Sequence, residues 1–222
     1  MDIRITDDAH TAAVVGAEWI AGQLRNAVRR RGGASLAVSG GDGPVPMWHH
    51  LASLDVPWKT VMVWQVDERV APDGDAARNA NQLDILPLAR SHVKPMPVTA
   101  KNLKAAARRY SMSLPERFDV VHLGLGADGH TASWAPGDPV IDDLAPVGIC
   151  GMFNGYLRMT LTPTVVNNAR RRLMLAPGAE KAAPIADWLL CRSALPVQRV
   201  SRANTVVVID RPAAARLPLD AD

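Results

Sequence analysis

Residues 119–133, DVVHLGLGADGHTAS, announce the fold of this chain. From Asp119 to Leu125 they form a β-branched and apolar run of strand length. Gly124 and Gly126 then break the run, and Asp128, Gly129 and His130 follow in a row. A buried strand that empties into a glycine turn bearing an acid and an imidazole suits a parallel sheet with its site beyond the carboxyl ends of the strands.

On both sides of this stretch strand and helix alternate. Asp8 to Arg31 carries apolar residues at helical spacing, among them Val14, Val15, Ala17, Ile20, Leu24 and Val28. Asp7 and Asp8 can cap its start, and Arg29 to Arg31 suit its negative end before Gly32 and Gly33 stop it. Ala34 to Val38 reads as a strand ending in a glycine turn, and Pro44 suits the first turn of a helix over roughly 46–54. Thr60 to Val66 is a second such strand, followed by a predicted helix from Ala77 to Leu86. A further helix is predicted over Ala100–Met112. Leu157–Leu161, Arg172–Ala176 and Thr205–Ile209 read as strands, with a helix over Glu180–Leu190. Asp138 to Gly155 mixes Pro, Gly and Asp with short apolar pieces and offers no clear element. The alternation predicts an α/β fold, a mainly parallel sheet flanked by helices on both faces. With 222 residues, 48% of them hydrophobic, a single domain spanning 1–222 can bury a full core.

The formal net charge of +3 is too small to argue for nucleic acid, yet it would not repel an anionic metabolite. The runs Arg29–Arg31 and Arg170–Arg172 lack interleaved aromatics and read as solvated ends of a helix and a strand. Cys150 and Cys191, far apart and without Cys-x-x-Cys spacing, read as small buried hydrophobes in a reducing compartment. The charged amino terminus has no apolar signal core, and no stretch is long enough to span a membrane. A cytoplasmic protein is expected, without nucleic-acid or membrane partners.

Three polar clusters fall at predicted strand ends: Ser39 to Gly43, Asp67 to Arg69, and Gly124 to Ser133. In Ser39-Gly40-Gly41-Asp42-Gly43 the glycines let successive backbone N–H groups approach an anion, although the Asp42 carboxylate is an awkward neighbour for one. The turn lacks the Lys-Ser/Thr of a P-loop and the spacing of a dinucleotide fingerprint. His130 is flanked by glycine and an acid, which favours a general acid–base role over a structural one. His49 and His50 point apart on a helix and His122 lies in a strand, so a metal site is not expected. Ser39 lacks the preceding glycine of a nucleophile elbow, so a water-activating base fits better than a covalent serine.

These residues resemble the 6-phosphogluconolactonase family. The likeness runs through Ser39-Gly40-Gly41, Asp67-Glu68-Arg69, the block from Leu123 to Ser133, Arg158-Met159-Thr160-Leu161-Thr162, Gly178-Ala179-Glu180-Lys181 and the closing Asn204-Thr205 strand. It covers nearly the whole chain. It implies a sugar-isomerase-like α/β fold and cofactor-free hydrolysis of 6-phospho-δ-gluconolactone to 6-phosphogluconate, a step of the pentose phosphate pathway. It implies that His130 deprotonates water and then protonates the leaving ring oxygen, exchanges that suit imidazole as a side chain, whose unperturbed pKa is about 6.5. Asp128 would orient the imidazole or the loop, and Arg69 would stabilise the tetrahedral intermediate or the phosphate. Arg158 and Lys181 match phosphate-binding cations, helped by the 39–43 turn, and Asp67 and Asn79 also fall at family positions. A small sugar (phospho)lactone is the expected partner of a monomer or homodimer.

Two departures stand out. Asp42-Gly43 replaces a frequent Ser-Thr, and Cys150-Gly151-Met152-Phe153-Asn154-Gly155-Tyr156 replaces a Pro-rich stretch. Both fall near the expected anion end of the substrate, which leaves 6-sulfo or unphosphorylated sugar lactones as alternatives. A deaminase-isomerase on the same fold fits less well, because Arg69 stands where those enzymes carry Tyr and the block ends in Ser133-Trp134-Ala135-Pro136 without their acid. A catalytically inactive sugar-phosphate sensor is the third reading. Against it stand the retained His130, Asp128 and Arg69 and the single helix ahead of the Ala34 strand, too little for a helix-turn-helix.

Overall fold

Burial on two sides turns the apolar runs into strands. The computed structural model describes residues 1–218; residues 219–222 of the expected 1–222 domain lie outside the described residues. In chain order the elements are β1 (Asp2–Thr6), α1 (Ala9–Arg31), β2 (Ala34–Val38), α2 (Val45–Ser53), β3 (Val61–Gln65), β4 (Asp67–Arg69), β5 (Val93–Lys94) and α3 (Leu103–Met112). There follow β6 (Val120–Leu123), β7 (Val147–Phe153), β8 (Tyr156–Leu161), α4 (Pro163–Asn168), β9 (Arg171–Leu175), α5 (Ala182–Leu189), β10 (Thr205–Asp210) and α6 (Arg211–Ala214). Seven strands form a parallel sheet in the order β1-β10-β9-β6-β2-β3-β5. Leu36 and Val38 of β2 enter one apolar cluster with α1 and α2, while Ala37 enters the other. Val206 and Val208 of β10 likewise face one way, Val207 and Ile209 the other. Strands buried on both faces read as continuous apolar runs, as these do.

Helix α1 starts where Asp8 accepts a hydrogen bond from the Thr11 amide at 2.7 Å and stops at Gly32, whose φ is +77°. The second apolar cluster is covered by α3, α5, α6 and a small antiparallel sheet of order β4-β8-β7.

Several expectations need correction. Asp67–Arg69 is not merely the turn after β3: it is a separate strand, β4, of the small sheet, paired with β8. The helix expected over Ala77–Leu86 is a run of 3₁₀ turns from Asn79 to Ile85, because the Asn79 and Ala80 amides are bound by the Glu68 carboxylate. Side chains that capture backbone donors in this way compete with an α-helix. The helix expected from Ala100 begins at Leu103, where the Asn102 side chain caps it. The opaque segment before Gly155 supplies β7, and two short sheet-edge strands, β1 and β5, carry too little apolar pattern to be read. Arg172 is not a solvated strand end: it is 1% exposed and donates to the carbonyls of Val166, Asn167 and Ala169. Cys150 is buried, whereas Cys191 is exposed; both are free thiols. Among the described residues no helix is long and apolar enough to cross a membrane.

Candidate active site

Beyond the carboxyl ends of β2, β3, β6 and β9 lies a cavity of about 320 Å³. Its wall includes Ser39, Gly40, Gly41 and Gly43 from the first cluster, Asp67, Arg69 and Asn79 from the second, and His130 from the third. Arg158 and Lys181 complete the expected set. Asp42 is exposed and does not line the cavity, which keeps its carboxylate off the wall an anion would meet. Asp128 stands behind His130 instead of on the wall.

The His130 loop closes on itself. The Gly126 amide donates to the His130 carbonyl at 2.8 Å, and Thr131 Oγ1 donates to the Gly124 carbonyl at 2.7 Å. A Cβ on Gly126 would lie 2.0 Å from His130 Nδ1 and 2.5 Å from Asp128 Oδ1, so glycine alone leaves room for the pair. Asp128 Oδ1 lies 2.5 Å from His130 Nδ1 and also accepts from the His130 amide at 3.1 Å. Burial works against the charged carboxylate, but these hydrogen bonds outweigh it and hold the Asp128 pKa below the usual carboxylate range. An ionised carboxylate only accepts, so Nδ1 carries the proton toward Asp128 and Nε2 is the free, basic nitrogen. Ala132, next in the loop, sits at φ +52°, a conformation that a non-glycine residue adopts at some cost.

The cationic wall comes from the small sheet. Arg69 and Arg158 are directly opposite in the β4–β8 pairing, a like-charged arrangement that by itself destabilises a sheet. Asp67 Oδ2 relieves it in part, lying 3.9 Å from Arg158 Nη1 while accepting from Ser133 Oγ at 2.6 Å. Burial is the largest influence on Asp67 and raises its pKa, opposed by Ser133 and Arg158. Burial also lowers the pKa of the Arg158 guanidinium, with Asp67 opposing and Arg69 adding to the shift. Arg69 Nη1 donates to the Ala77 carbonyl at 2.5 Å. Lys181 Nζ, opposite, lies 3.5 Å from Glu180 Oε1.

Several groups at the site escaped the sequence reading. Glu68, fully buried, binds the amides of Arg69, Asn79 and Ala80, Gln65 Nε2 at 2.8 Å and Arg78 Nε at 3.1 Å, and so anchors the loop that presents Asn79. Gln82 exchanges two hydrogen bonds of 3.0 Å with the backbone of Gly41. That amide, expected to face an anion, is therefore already paired, and Ser39 Oγ is spent on the His122 carbonyl at 3.1 Å. His122 is itself on the wall, packed edge-on to Trp48, with both ring nitrogens unpartnered; burial pushes its pKa down to about 3. Phe153 joins the two functional halves. Its ring centroid is 4.9 Å from that of His130 and 4.9 Å from the Arg158 guanidinium carbon, and its carbonyl accepts from Arg158 Nε at 3.2 Å. Paired acidic residues and lone aromatics carry no motif, so only Asn79 and the Asp-Glu-Arg run pointed this way.

The family described as glucosamine-6-phosphate isomerases/6-phosphogluconolactonase matches the chain over residues 7–209. A 6-phosphogluconolactonase from Synechocystis is 33% identical over 175 residues, covering 72% of each chain. Another from Rhizobium meliloti is 32% identical over 200 residues, 84% of this chain and 86% of that one. Among solved structures, the 6-phosphogluconolactonase of Trypanosoma brucei superposes with a TM-score of 0.83 at 24% identity, covering 97% of this chain and 98% of that one. A monomeric glucosamine-6-phosphate deaminase superposes with a TM-score of 0.84 at 17% identity, covering 97% and 100%, and so shares the fold. With sequence match, topology and cavity in agreement, the chain belongs to the glucosamine-6-phosphate isomerase/6-phosphogluconolactonase family.

Proposed function

We propose that this protein hydrolyses 6-phospho-δ-gluconolactone to 6-phosphogluconate with His130 as the general base. The observation that carries the reading is His130, backed by Asp128 at 2.5 Å, sharing one cavity with the in-register Arg69–Arg158 pair. Nε2 of His130 takes a proton from water as the oxygen adds to the lactone carbonyl carbon. The oxyanion that forms collapses, the bond from that carbon to the ring oxygen breaks, and the imidazolium returns its proton to the departing oxygen. The Asp128 carboxylate holds the ring in the required tautomer and favours the transient imidazolium. Arg69 stabilises the oxyanion, and Arg158, backed by Asp67, takes the anionic substituent at C6 together with Lys181.

A second reading rests on the pairing of Gly41 and Ser39 with protein groups. With those donors engaged, a sugar lactone whose C6 carries a sulfonate or only a hydroxyl would suit the same cavity. Hydrolysis above the spontaneous rate near pH 7, compared for 6-phosphogluconolactone, gluconolactone and the 6-sulfonated lactone, separates the two. Preference for the phosphorylated lactone supports the first; preference for another keeps the mechanism and changes the substrate. No rate with any of them overturns the enzymatic reading.

A further inference from the structure

The two arginine runs of the sequence, some 140 residues apart, meet at the amino-terminal edge of the large sheet, opposite the cavity described above. There the end of α1 and the starts of β6 and β9 enclose a concave space of about 480 Å³. Arg30, Arg31, Arg117, Arg170 and Arg171 line it, with Asp119 as the one carboxylate among the described lining residues. We propose that this cavity is a second anion site, shaped for a compact di- or polyphosphate.

Charge is the first argument. Asp119 Oδ1 is shared between Arg31 Nη2 at 2.5 Å and Arg170 Nε at 3.4 Å. Arg117 and Arg171 find neutral acceptors, the Asn168 carbonyl at 2.7 Å and Asn204 Oδ1 at 2.6 Å. Five arginines against one carboxylate leave a formal excess of four positive charges, more than the +3 of the whole chain. The carboxyl end of α1 offsets only about half a charge. The crowding reaches Arg172 below: burial first, then the charges of Arg117 and Arg171, push its pKa below the usual arginine range. Such self-repulsion destabilises the fold unless an anion relieves it.

The chemistry of the lining narrows the ligand. Guanidinium forks match phosphate oxygens in pairs, and several around one concavity suit two linked or nearby phosphates better than one. Gln23, Asn26 and Asn204 add neutral hydrogen-bonding groups suited to hydroxyls or bridging oxygens. No aromatic ring is among the described lining residues, so nothing here stacks a nucleobase, as a single-stranded nucleic-acid site would. A pyrophosphate group or a sugar carrying two phosphates fits these demands.

Calorimetry on the full chain with inorganic pyrophosphate tests this independently of any lactonase activity. Arg158→Ala serves as background, to weaken binding in the other cavity. It should bind one pyrophosphate, at least tenfold more tightly than orthophosphate. Adding Arg30→Ala and Arg171→Ala, two changes that leave the Asp119 pairs in place, should weaken binding at least tenfold while circular dichroism and the melting temperature show the fold retained. Unaltered affinity in that variant, or no binding in the background, overturns the proposal. So does displacement of pyrophosphate by duplex oligonucleotides with affinity that grows with their length, which would mark a nucleic-acid surface. Should the double variant fail to fold, Arg30→Ala and Arg171→Ala made singly must each weaken pyrophosphate binding, and affinity unchanged from the background in either sinks the assignment.

Discussion

For His130 the decisive fact is its tautomer. With Nδ1 committed to Asp128, only Nε2 is left to move a proton, so replacing the ring removes the base without disturbing a buried core: the side chain is 27% exposed. His130→Ala should lower lactone hydrolysis by about 10²–10⁴-fold with the far-ultraviolet circular dichroism unchanged. A variant that kept most of its rate would place the base elsewhere. Arg158→Ala should chiefly raise KM for the phosphorylated lactone and leave KM for the unphosphorylated one nearly as it was. Equal effects on both would move the C6 group away from Arg158. His122 makes a prediction about pH. Its folded pKa is about 3 against 6.5 for the free side chain, so between these values the unfolded chain binds the extra proton. Stability should therefore fall as pH drops from 6.5 toward 3, by up to about 1.4 kcal/mol per pH unit from this residue alone. Urea melts at pH 7 and pH 5 should show a smaller loss for His122→Leu than for the native chain, and an equal loss would mean that His122 finds a partner in solution.

Among the elements, the β7–β8 hairpin bears most directly on the site. Its turn, Asn154 at φ +49° and Gly155 at φ +81°, is the two-residue kind whose twist matches antiparallel strands. That geometry delivers Phe153 between His130 and Arg158 and ties its backbone to Arg158 Nε. Aromatic and cation–π contacts of this sort contribute about 0.5–1.5 kcal/mol each. Phe153→Ala should lower kcat/KM about tenfold, while the melting temperature moves little because the ring is only half-buried. If Phe153→Ala kept native kcat/KM, the ring would be merely a cover. The same replacement should also alter the pH profile of kcat/KM, which loss of packing alone would not do.

Across the whole molecule, Glu68 is the joint between the two sheets. It sits on the small sheet, accepts from Gln65 at the end of β3, and binds the loop that carries Asn79. Its charge is buried against Arg78, so removing Glu68 leaves the buried Arg78 guanidinium with only the exposed Asp73 at 2.9 Å and strips three backbone amides of their acceptor. Glu68→Ala should cost about 3–5 kcal/mol, read as a lower urea midpoint, and Glu68→Gln less than that. A loss below about 1 kcal/mol would show that the joint is held by the apolar contacts around it.

The sequence by itself determined the layered α/β plan, because strands buried on both faces must be apolar throughout and helices between them must be amphipathic. It also marked the loop of His130 and Asp128 as a candidate site, since glycines beside titratable side chains at strand ends serve few purposes other than exposing them, and that loop lies at the cavity. Tertiary structure alone decided the rest. Only pairing with β8 sets Arg69 opposite Arg158, and only the turn of β7 into β8 inserts Phe153 between Arg158 and the imidazole. The same holds for the acids: Asp42 stands exposed, Asp67 and Glu68 are buried, and nothing in their side chains distinguishes them along the chain. The arginine runs, which read as two solvated ends, become one basic cavity with Arg172 buried below it. The physical reason is common to all of these. Periodicity and turn chemistry act between neighbours in sequence, whereas desolvation and Coulomb interaction depend on which distant groups the fold brings together.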